Sequence, residues 1–118
     1  MTEIEAIELS RAYVALSNAH RVELILPLFS DAAVYTSSAL GEFAGPSAIG
    51  KMMQEFFNIY PDAFWLAENF RCDSNRVTFD FSLQANAAIS GEHLQRQGIE
   101  RIEFDDQGLI SKLEVKAS

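Results

Sequence analysis

Glu100 is the residue whose position in the sequence most clearly points to chemistry. Between Leu94 and Phe104 alternate residues share one face of a predicted strand, and Glu100 falls on the same face as Leu94, Ile102 and Phe104. Burial among apolar side chains is expected to raise the pKa of this carboxyl and keep it protonated. The carboxyl then donates a hydrogen bond to a ligand carbonyl, or it is a structural acid satisfied by Tyr13 or by a backbone N–H.

Tyr13 is the second candidate, because it falls on the inner face of the predicted first helix. Leu9, Tyr13 and Leu16 recur at the i, i+4, i+7 spacing of a buried stripe. A tyrosine on such a face is usually a core residue whose hydroxyl has a polar partner, and a role in chemistry is the alternative. Tyr35 and Ser37 share one face of the first predicted strand, where they orient a ligand; the alternative is that Thr36, Ser37 and Ser38 simply end the strand.

The other side chains that could do chemistry have no partner at a useful spacing. His20 falls in the turn between the first two helices and His93 near a hairpin end, so the two histidines have no metal-ligand spacing. For His20 we expect a solvated ring, with proton transfer as the minor alternative. Cys72 is the only cysteine, which excludes an internal disulfide and a cysteine-bound zinc. We therefore expect no cofactor and no metal.

Length, composition and charge restrict the class of protein. The chain has 118 residues, 48% of them hydrophobic, so a single domain over residues 1–118 with a sizeable core is expected. Nine Lys and Arg against 17 Asp and Glu give a net charge of −8, which disfavours binding to nucleic acid or to an anionic membrane surface. The first residues are acidic, unlike a signal peptide, and no apolar run is long enough for a membrane helix. We expect a cytoplasmic protein.

The first part of the chain is predicted to contain two helices and two short strands. Thr2 and Glu5 have the spacing of a capping box, which predicts the start of a first helix. Pro27 should keep a second helix short, because proline lacks the backbone N–H that a helix interior needs. Residues 33–37 have β-branched and aromatic character and predict a strand, with residues 41–43 as a short return strand.

The rest of the chain is predicted to form a third helix and an antiparallel meander. Gly45 and Pro46 open a helix that extends to about Tyr60, since proline is well tolerated at the first helical position. From Ala63 onward apolar and polar residues alternate, so each strand has one dry face and one wet face. The helices should cover the dry face. The sequence does not assign a face to Trp65, which becomes a candidate dimer anchor if it points outward.

The order of these elements and four short motifs resemble the nuclear transport factor 2-like superfamily. The motifs are YVAL at 13–16, LFSDAAVY at 28–35, FAGPSAI at 43–49 and RIEFDDQGLI at 101–110. Together they resemble a SnoaL-like or ketosteroid-isomerase-like domain. The resemblance implies an α+β fold in which a cone-shaped, curved antiparallel sheet wraps around about three helices, as in the cystatin-like α+β barrel. It also implies an internal apolar pocket and a homodimer formed through the sheet.

The resemblance implies roles for two residues and leaves a third role unfilled. Tyr13 matches the tyrosine, and Glu100 the protonated acid, that donate hydrogen bonds to a developing oxyanion in ketosteroid isomerase. The family's general-base carboxylate falls on Ser37, and no acid lies between Asp31 and Glu42. A serine hydroxyl is not a base near neutral pH, so steroid-type isomerisation by that mechanism is disfavoured.

Two kinds of function fit these observations; the enzyme and the small-molecule-binding module use the same pocket, whereas a protein-interaction module contacts its partner through the sheet. The first is a cofactor-free acid/base enzyme of the isomerase, cyclase or dehydratase type, with Tyr13 and Glu100 as its catalytic residues. The second is a non-catalytic module that binds a small neutral, hydrophobic or weakly polar ligand, or a dimeric protein-interaction module of the same fold. Seven further residues are candidates for binding the substrate, although most of them are also simple core residues: Tyr35, Ser37, Met53, Phe56, Phe57, Phe81 and Ile102.

Overall fold

The computed structural model describes residues 1–118 as three helices and a six-stranded sheet. The elements in chain order are α1 (Glu3–Asn18), α2 (Val22–Ile25), a 3-10 turn (Leu26–Leu28), β1 (Phe29–Ser37), β2 (Gly41–Ala44), α3 (Gly45–Ile59), β3 (Phe64–Asp73), β4 (Arg76–Asn86), β5 (His93–Phe104) and β6 (Ile110–Ala117). The strand order is β2-β1-β6-β5-β4-β3, with β2 and β3 at the edges. The predicted α+β fold, a curled sheet around three helices, is confirmed.

One strand pair departs from the predicted antiparallel sheet. β1 runs parallel to β6, whereas every other neighbouring pair is antiparallel. A parallel pair needs a long connection between its strands, and the whole segment from β2 to β5 supplies it. β1 also begins earlier than predicted, at Phe29, and its register with β6 shifts between Phe29 and Val34. The sheet is therefore mixed and does not close into a barrel.

The helices begin and end where the sequence pattern predicts. Thr2 and Glu5 form both hydrogen bonds of the capping box at the start of α1. Pro27 lies in the 3-10 turn that follows the four residues of α2, and Pro46 lies in the first turn of α3. α1 packs against β3 and β4, and α3 packs against β1, so the core lies between the helices and the concave face of the sheet. None of the helices is long and apolar enough to cross a membrane.

β3 changes the face that it presents to the core part-way along its length. Trp65 packs against the core, while its neighbour Phe64 is 56% exposed. The register with β4 then shifts between Glu68 and Arg71, and Phe70 beyond the shift packs inward against the core. This bulge explains why a single alternating pattern could not assign an inner face to the strand. Trp65 lies inside the curled sheet, where it cannot anchor a dimer through the outer face.

Candidate functional site

A cavity opens between the concave face of the sheet and the helices α1 and α3. Twenty residues line it, fifteen of them hydrophobic, and its volume is about 50 Å³. That space holds a few water molecules. An organic ligand needs more room than this, and the flexible side chains on the wall that would have to move aside for it include Met52 and Met53.

The fold gathers most of the predicted site residues on this wall. They come from α1, β1, α3, β4 and β5, which are distant from one another in the sequence. Ile102 is the exception: it is fully buried in the core and does not reach the cavity. The predicted residues on the wall are Tyr13, Tyr35, Ser37, Met53, Phe56, Phe57, Phe81 and Glu100.

The Glu100 carboxyl is buried in the cavity wall without a protein partner. The residue is 5% exposed, and burial raises the pKa of Glu100 to about 8. The carboxyl is therefore mostly protonated at pH 7. Every fully buried polar side-chain atom of the protein has a hydrogen-bond partner, and the Glu100 oxygens have none. These oxygens are therefore not fully buried and must face the open space of the cavity. The alternative in which Tyr13 or a backbone N–H satisfies the acid is not observed.

Two tyrosine hydroxyls share the inner part of the cavity with Glu100. Tyr13 from α1 and Tyr35 from β1 both have buried rings, and the edge of Tyr13 meets Phe29 with 6.0 Å between ring centroids. Burial raises the pKa of both hydroxyls well above the usual tyrosine value. The neighbouring Tyr35 and then Glu100 raise the pKa of Tyr13 further, and Glu100 raises that of Tyr35. Both hydroxyls are therefore neutral hydrogen-bond donors at neutral pH.

Arg96 also lies on the wall, and the sequence analysis missed it. It stands on the same inward face of β5 as Glu100, four residues earlier, and pairs with Leu83 of β4. Its charge opposes the increase in the pKa of Tyr35. The sequence pattern does predict the position of Arg96, because the alternation that directs Glu100 inward directs Arg96 inward as well.

Ser37 shapes the turn after β1. Its Oγ accepts hydrogen bonds from the backbone N–H groups of Ala39 and Leu40, at 3.2 and 3.1 Å. The hydroxyl oxygen is thus occupied, while its proton remains available to a ligand. Glu42 is exposed on β2, and Glu100 is the only carboxyl on the cavity wall. The wall therefore has no ionised carboxylate that could act as a general base at neutral pH.

Two polar residues at the end of α1 support the aromatic part of the wall. Asn18 exchanges two hydrogen bonds with the backbone of Trp65, at 2.9 and 2.7 Å, as a neighbouring strand would. His20 stacks on Phe57 with 4.1 Å between ring centroids, and its Nε2 lies 2.8 Å from the carbonyl oxygen of Ala63. His20 is thus half-buried behind the wall, where we had expected a solvated ring, and it does not line the cavity.

The remaining titratable candidates lie away from the cavity. Asp80 is on the outer face of β4, where it accepts hydrogen bonds from Asn69 at 3.0 Å and from Arg71 at 3.3 Å. His93 contacts Asn86 at the start of β5. No group of three or more His, Cys, Asp or Glu side chains is arranged to hold a metal ion.

Comparison with protein families agrees with this arrangement of elements. The model of the SnoaL-like domain matches residues 10–113 of the chain. The chain belongs to the SnoaL-like family. The match covers every element that contributes to the cavity and ends at Leu113, within β6. A comparison with curated proteins found no match.

Several solved structures share the fold of this SnoaL-like domain at low sequence identity. AclR from Streptomyces galilaeus has a TM-score of 0.85 at 18% identity, over 99% of this chain and 91% of AclR. A nuclear transport factor 2-like protein from Exiguobacterium sp. 255-15 has a TM-score of 0.79 at 17% identity, over 90% and 94% of the two chains. SalBIII, an epoxide hydrolase/cyclase-like enzyme in pyran ring formation in salinomycin, has a TM-score of 0.85 at 12% identity, over 96% and 90%. These likenesses confirm the nuclear transport factor 2-like fold and leave the reaction to be argued from the cavity.

Proposed function

We propose that this SnoaL-like domain binds a small, largely apolar organic molecule in the cavity and acts on it as a cofactor-free acid/base enzyme. The observation that carries the proposal is the buried Glu100 carboxyl, which faces the cavity without a protein partner beside two neutral tyrosine hydroxyls. Glu100, Tyr13 and Tyr35 together offer hydrogen-bond donors to a carbonyl or hydroxyl oxygen of the ligand. In an apolar cavity such donors are stronger than in water.

The protonation states favour a reaction that begins with proton donation. With a pKa of about 8, Glu100 holds a proton at neutral pH and can give it to a ligand oxygen as a general acid. The raised pKa of Tyr13 keeps its hydroxyl protonated, so it stabilises developing negative charge without transferring its proton. Because no second carboxyl lines the cavity, a proton leaving carbon goes to water, to the ligand itself or to the Glu100 carboxylate that remains after proton donation. This disfavours steroid-type isomerisation, which needs a separate base beside the donor, and leaves cyclisation or dehydration, in which Glu100 first donates a proton and then accepts one.

A non-catalytic binding module is the second candidate. The observation that favours it is Ser37 at the position of the family's general base, with its Oγ already accepting two backbone hydrogen bonds. In this case the same donors and the same aromatic wall hold a ligand that is released unchanged. The two candidates differ only in whether a bound molecule is converted.

The polarising role of Glu100 can be tested with acetophenone labelled with ¹³C at its carbonyl carbon. Binding is followed by the fluorescence of Trp65, the only tryptophan, which lies on the cavity wall. The carbonyl resonance of the bound ketone should move downfield in the wild type and less so in Glu100→Gln, which keeps the size of the side chain but has no acidic proton. Glu103→Gln, on the opposite face of β5, is the matched control. An identical shift in the wild type and in Glu100→Gln would refute the role.

Turnover distinguishes the two candidates. 4-Hydroxy-4-phenyl-2-butanone is a suitable probe, because loss of water converts it to an enone that is detected by its ultraviolet absorbance. An enzyme should form the enone faster than buffer does, and Glu100→Gln should abolish the acceleration. Binding of the probe without enone formation would support the binding module.

The homodimer implied by the resemblance is also a proposal. Phe64 and Leu66 on the outer side of β3 are 56% and 59% exposed, which makes this edge of the sheet a candidate contact. Light scattering of the eluted protein should give the mass of a dimer for the wild type and of a monomer for Leu66→Asp. A monomeric wild type would exclude this proposal.

A further inference from the structure

We infer that the ligand of this cavity carries an anionic oxygen, such as a carboxylate, which binds Arg96. The inference rests on the proposed function, because it names the class of ligand for the same cavity. It also replaces the neutral ligand expected from the sequence, since that expectation did not include Arg96. The resulting ligand has an anionic end, an apolar body and a neutral oxygen.

Arg96 brings a positive charge to the cavity wall that no acid of the protein balances. The chain has four ion pairs, and Arg96 takes part in none of them, although acids outnumber bases 17 to 9. Glu100 shares its face of β5 but is neutral at pH 7, because its pKa is about 8. Arg96 is half-buried and lines the cavity, so an anion of the ligand can supply the missing counter-charge, and the planar set of N–H donors can hold it through two parallel hydrogen bonds.

Arg96 lies at the open end of the cavity, and Glu100 lies further in. β6 pairs with β5 as far as Gly98, whose partner is Ala117, and Arg96 lies on β5 two residues from this pair. Gly98 has no side chain to keep β6 away, and a Cβ there would collide with the backbone of Lys116 and Ala117. The end of β6 therefore closes one side of the path from Arg96 to Glu100. The exposed residues of the wall, among them Ala117, surround the opening of the cavity, and this opening lies beside Arg96.

The spacing of the two polar ends sets the size of the ligand. Four residues of extended strand span about 13 Å between the Cα atoms of Arg96 and Glu100, and the long arginine side chain can shorten that gap. Between them the wall is apolar, since Phe81 and Leu83 of β4 lie opposite Gly98 and Arg96. A molecule with a carboxylate and a carbonyl on opposite sides of one ring matches this pattern.

The test uses three probes of similar size. 4-Acetylbenzoate has both polar groups, 4-acetylbenzamide has lost the negative charge, and 4-isopropylbenzoate has lost the carbonyl oxygen. Dissociation constants are measured at pH 7 from the fluorescence of Trp65 for the wild type, Arg96→Gln and Arg101→Gln. Arg101 is the matched control, because it lies on the opposite face of the same strand and bonds to Thr78.

We expect the wild type and Arg101→Gln to bind 4-acetylbenzoate at least about tenfold more tightly than 4-acetylbenzamide. Arg96→Gln should lose this preference, and Arg96→Lys, which keeps the charge but not the planar donors, should retain part of it. Thermal unfolding of each variant checks that the fold is intact. The inference is overturned if the wild type binds the amide as tightly as the carboxylate, if Arg96→Gln keeps the preference, or if neither carboxylate binds the wild type at millimolar concentrations.

The probe 4-isopropylbenzoate separates this inference from the proposed function. If it binds as tightly as 4-acetylbenzoate, and does so through Arg96, the anion site stands and the carbonyl site at Glu100 fails. If the amide binds with a carbonyl shift that depends on Glu100, but no preference for carboxylate exists, the proposed function stands and the anion site fails.

Discussion

Replacing Glu100 with glutamine should make the protein more stable, and the gain should grow with pH. In the unfolded chain the carboxyl ionises with a pKa of 4.5, whereas burial raises the pKa in the folded protein to about 8. Below pH 4.5 the carboxyl is protonated in both states and folding carries no penalty from ionisation. As the pH increases toward 8, the unfolded state releases this proton and the folded state keeps it, so the free energy of unfolding decreases. Above pH 8 the loss is complete.

The size of this effect follows from the two pKa values. Each unit of difference corresponds to about 1.4 kcal/mol, so the penalty carried by Glu100 reaches about 3 kcal/mol at pH 7 and about 5 kcal/mol at pH 9. The whole folding free energy of a small domain is about 5–15 kcal/mol. Ionisation of Glu100 in the unfolded state therefore removes a large fraction of the folding free energy of a domain of this size.

The prediction can be measured by urea unfolding of the wild type and Glu100→Gln at pH 5, 7 and 9. Trp65 fluorescence and circular dichroism report the transition. The difference between the two proteins should be small at pH 5 and should increase by several kcal/mol by pH 9. Glu103→Gln, which removes a carboxyl from the opposite face of β5, should give a small difference at every pH. A difference for Glu100→Gln that does not change with pH would refute the reasoning.

Three further substitutions test the parts of the fold that position the cavity. Asn18→Ala removes both hydrogen bonds to the backbone of Trp65. It should lower the free energy of unfolding by about 1–3 kcal/mol and shift the Trp65 emission to longer wavelength. Unchanged emission would mean that Asn18 does not hold the strand. Gly98→Ala should lower the free energy of unfolding by roughly 2 kcal/mol or more, since the added Cβ collides with the backbone of Lys116. Wild-type stability in a urea titration would contradict this close approach of β6 to Gly98. Thr2→Ala should lower stability by about 1 kcal/mol through the loss of the capping box, with no change in the affinity for acetophenone.

The part of the candidate site that β5 contributes could be predicted from the alternation of that strand. The same pattern directs Glu100 and Arg96 inward, and only Glu100 was recognised because an acid among apolar residues is conspicuous while an arginine near the start of a strand usually reaches solvent. Ile102 has the same phase as both, yet it lies in the core outside the cavity. Alternation determines the face of a residue, whereas the depth of the residue along the cavity depends on the elements that cover it.

Local patterns alone determined the helices and most strands of this protein. The hydrogen bonds of a capping box and the missing N–H of Pro27 act within a few residues, so they can be read from the sequence. The helix α3 and the alternation of β4 are local in the same sense. The resemblance to the SnoaL-like family added the order of these elements and the expectation of a cavity.

Only the tertiary structure decided the features that join distant parts of the chain. The parallel pairing of β1 with β6 and the bulge that changes the inward face of β3 depend on contacts between segments far apart in sequence. The pKa of Glu100 is another such feature, because it depends on how completely α1, α3 and the sheet exclude water from one carboxyl. Local periodicity directs a side chain inward, but the free energy of its charge is set by everything that surrounds it.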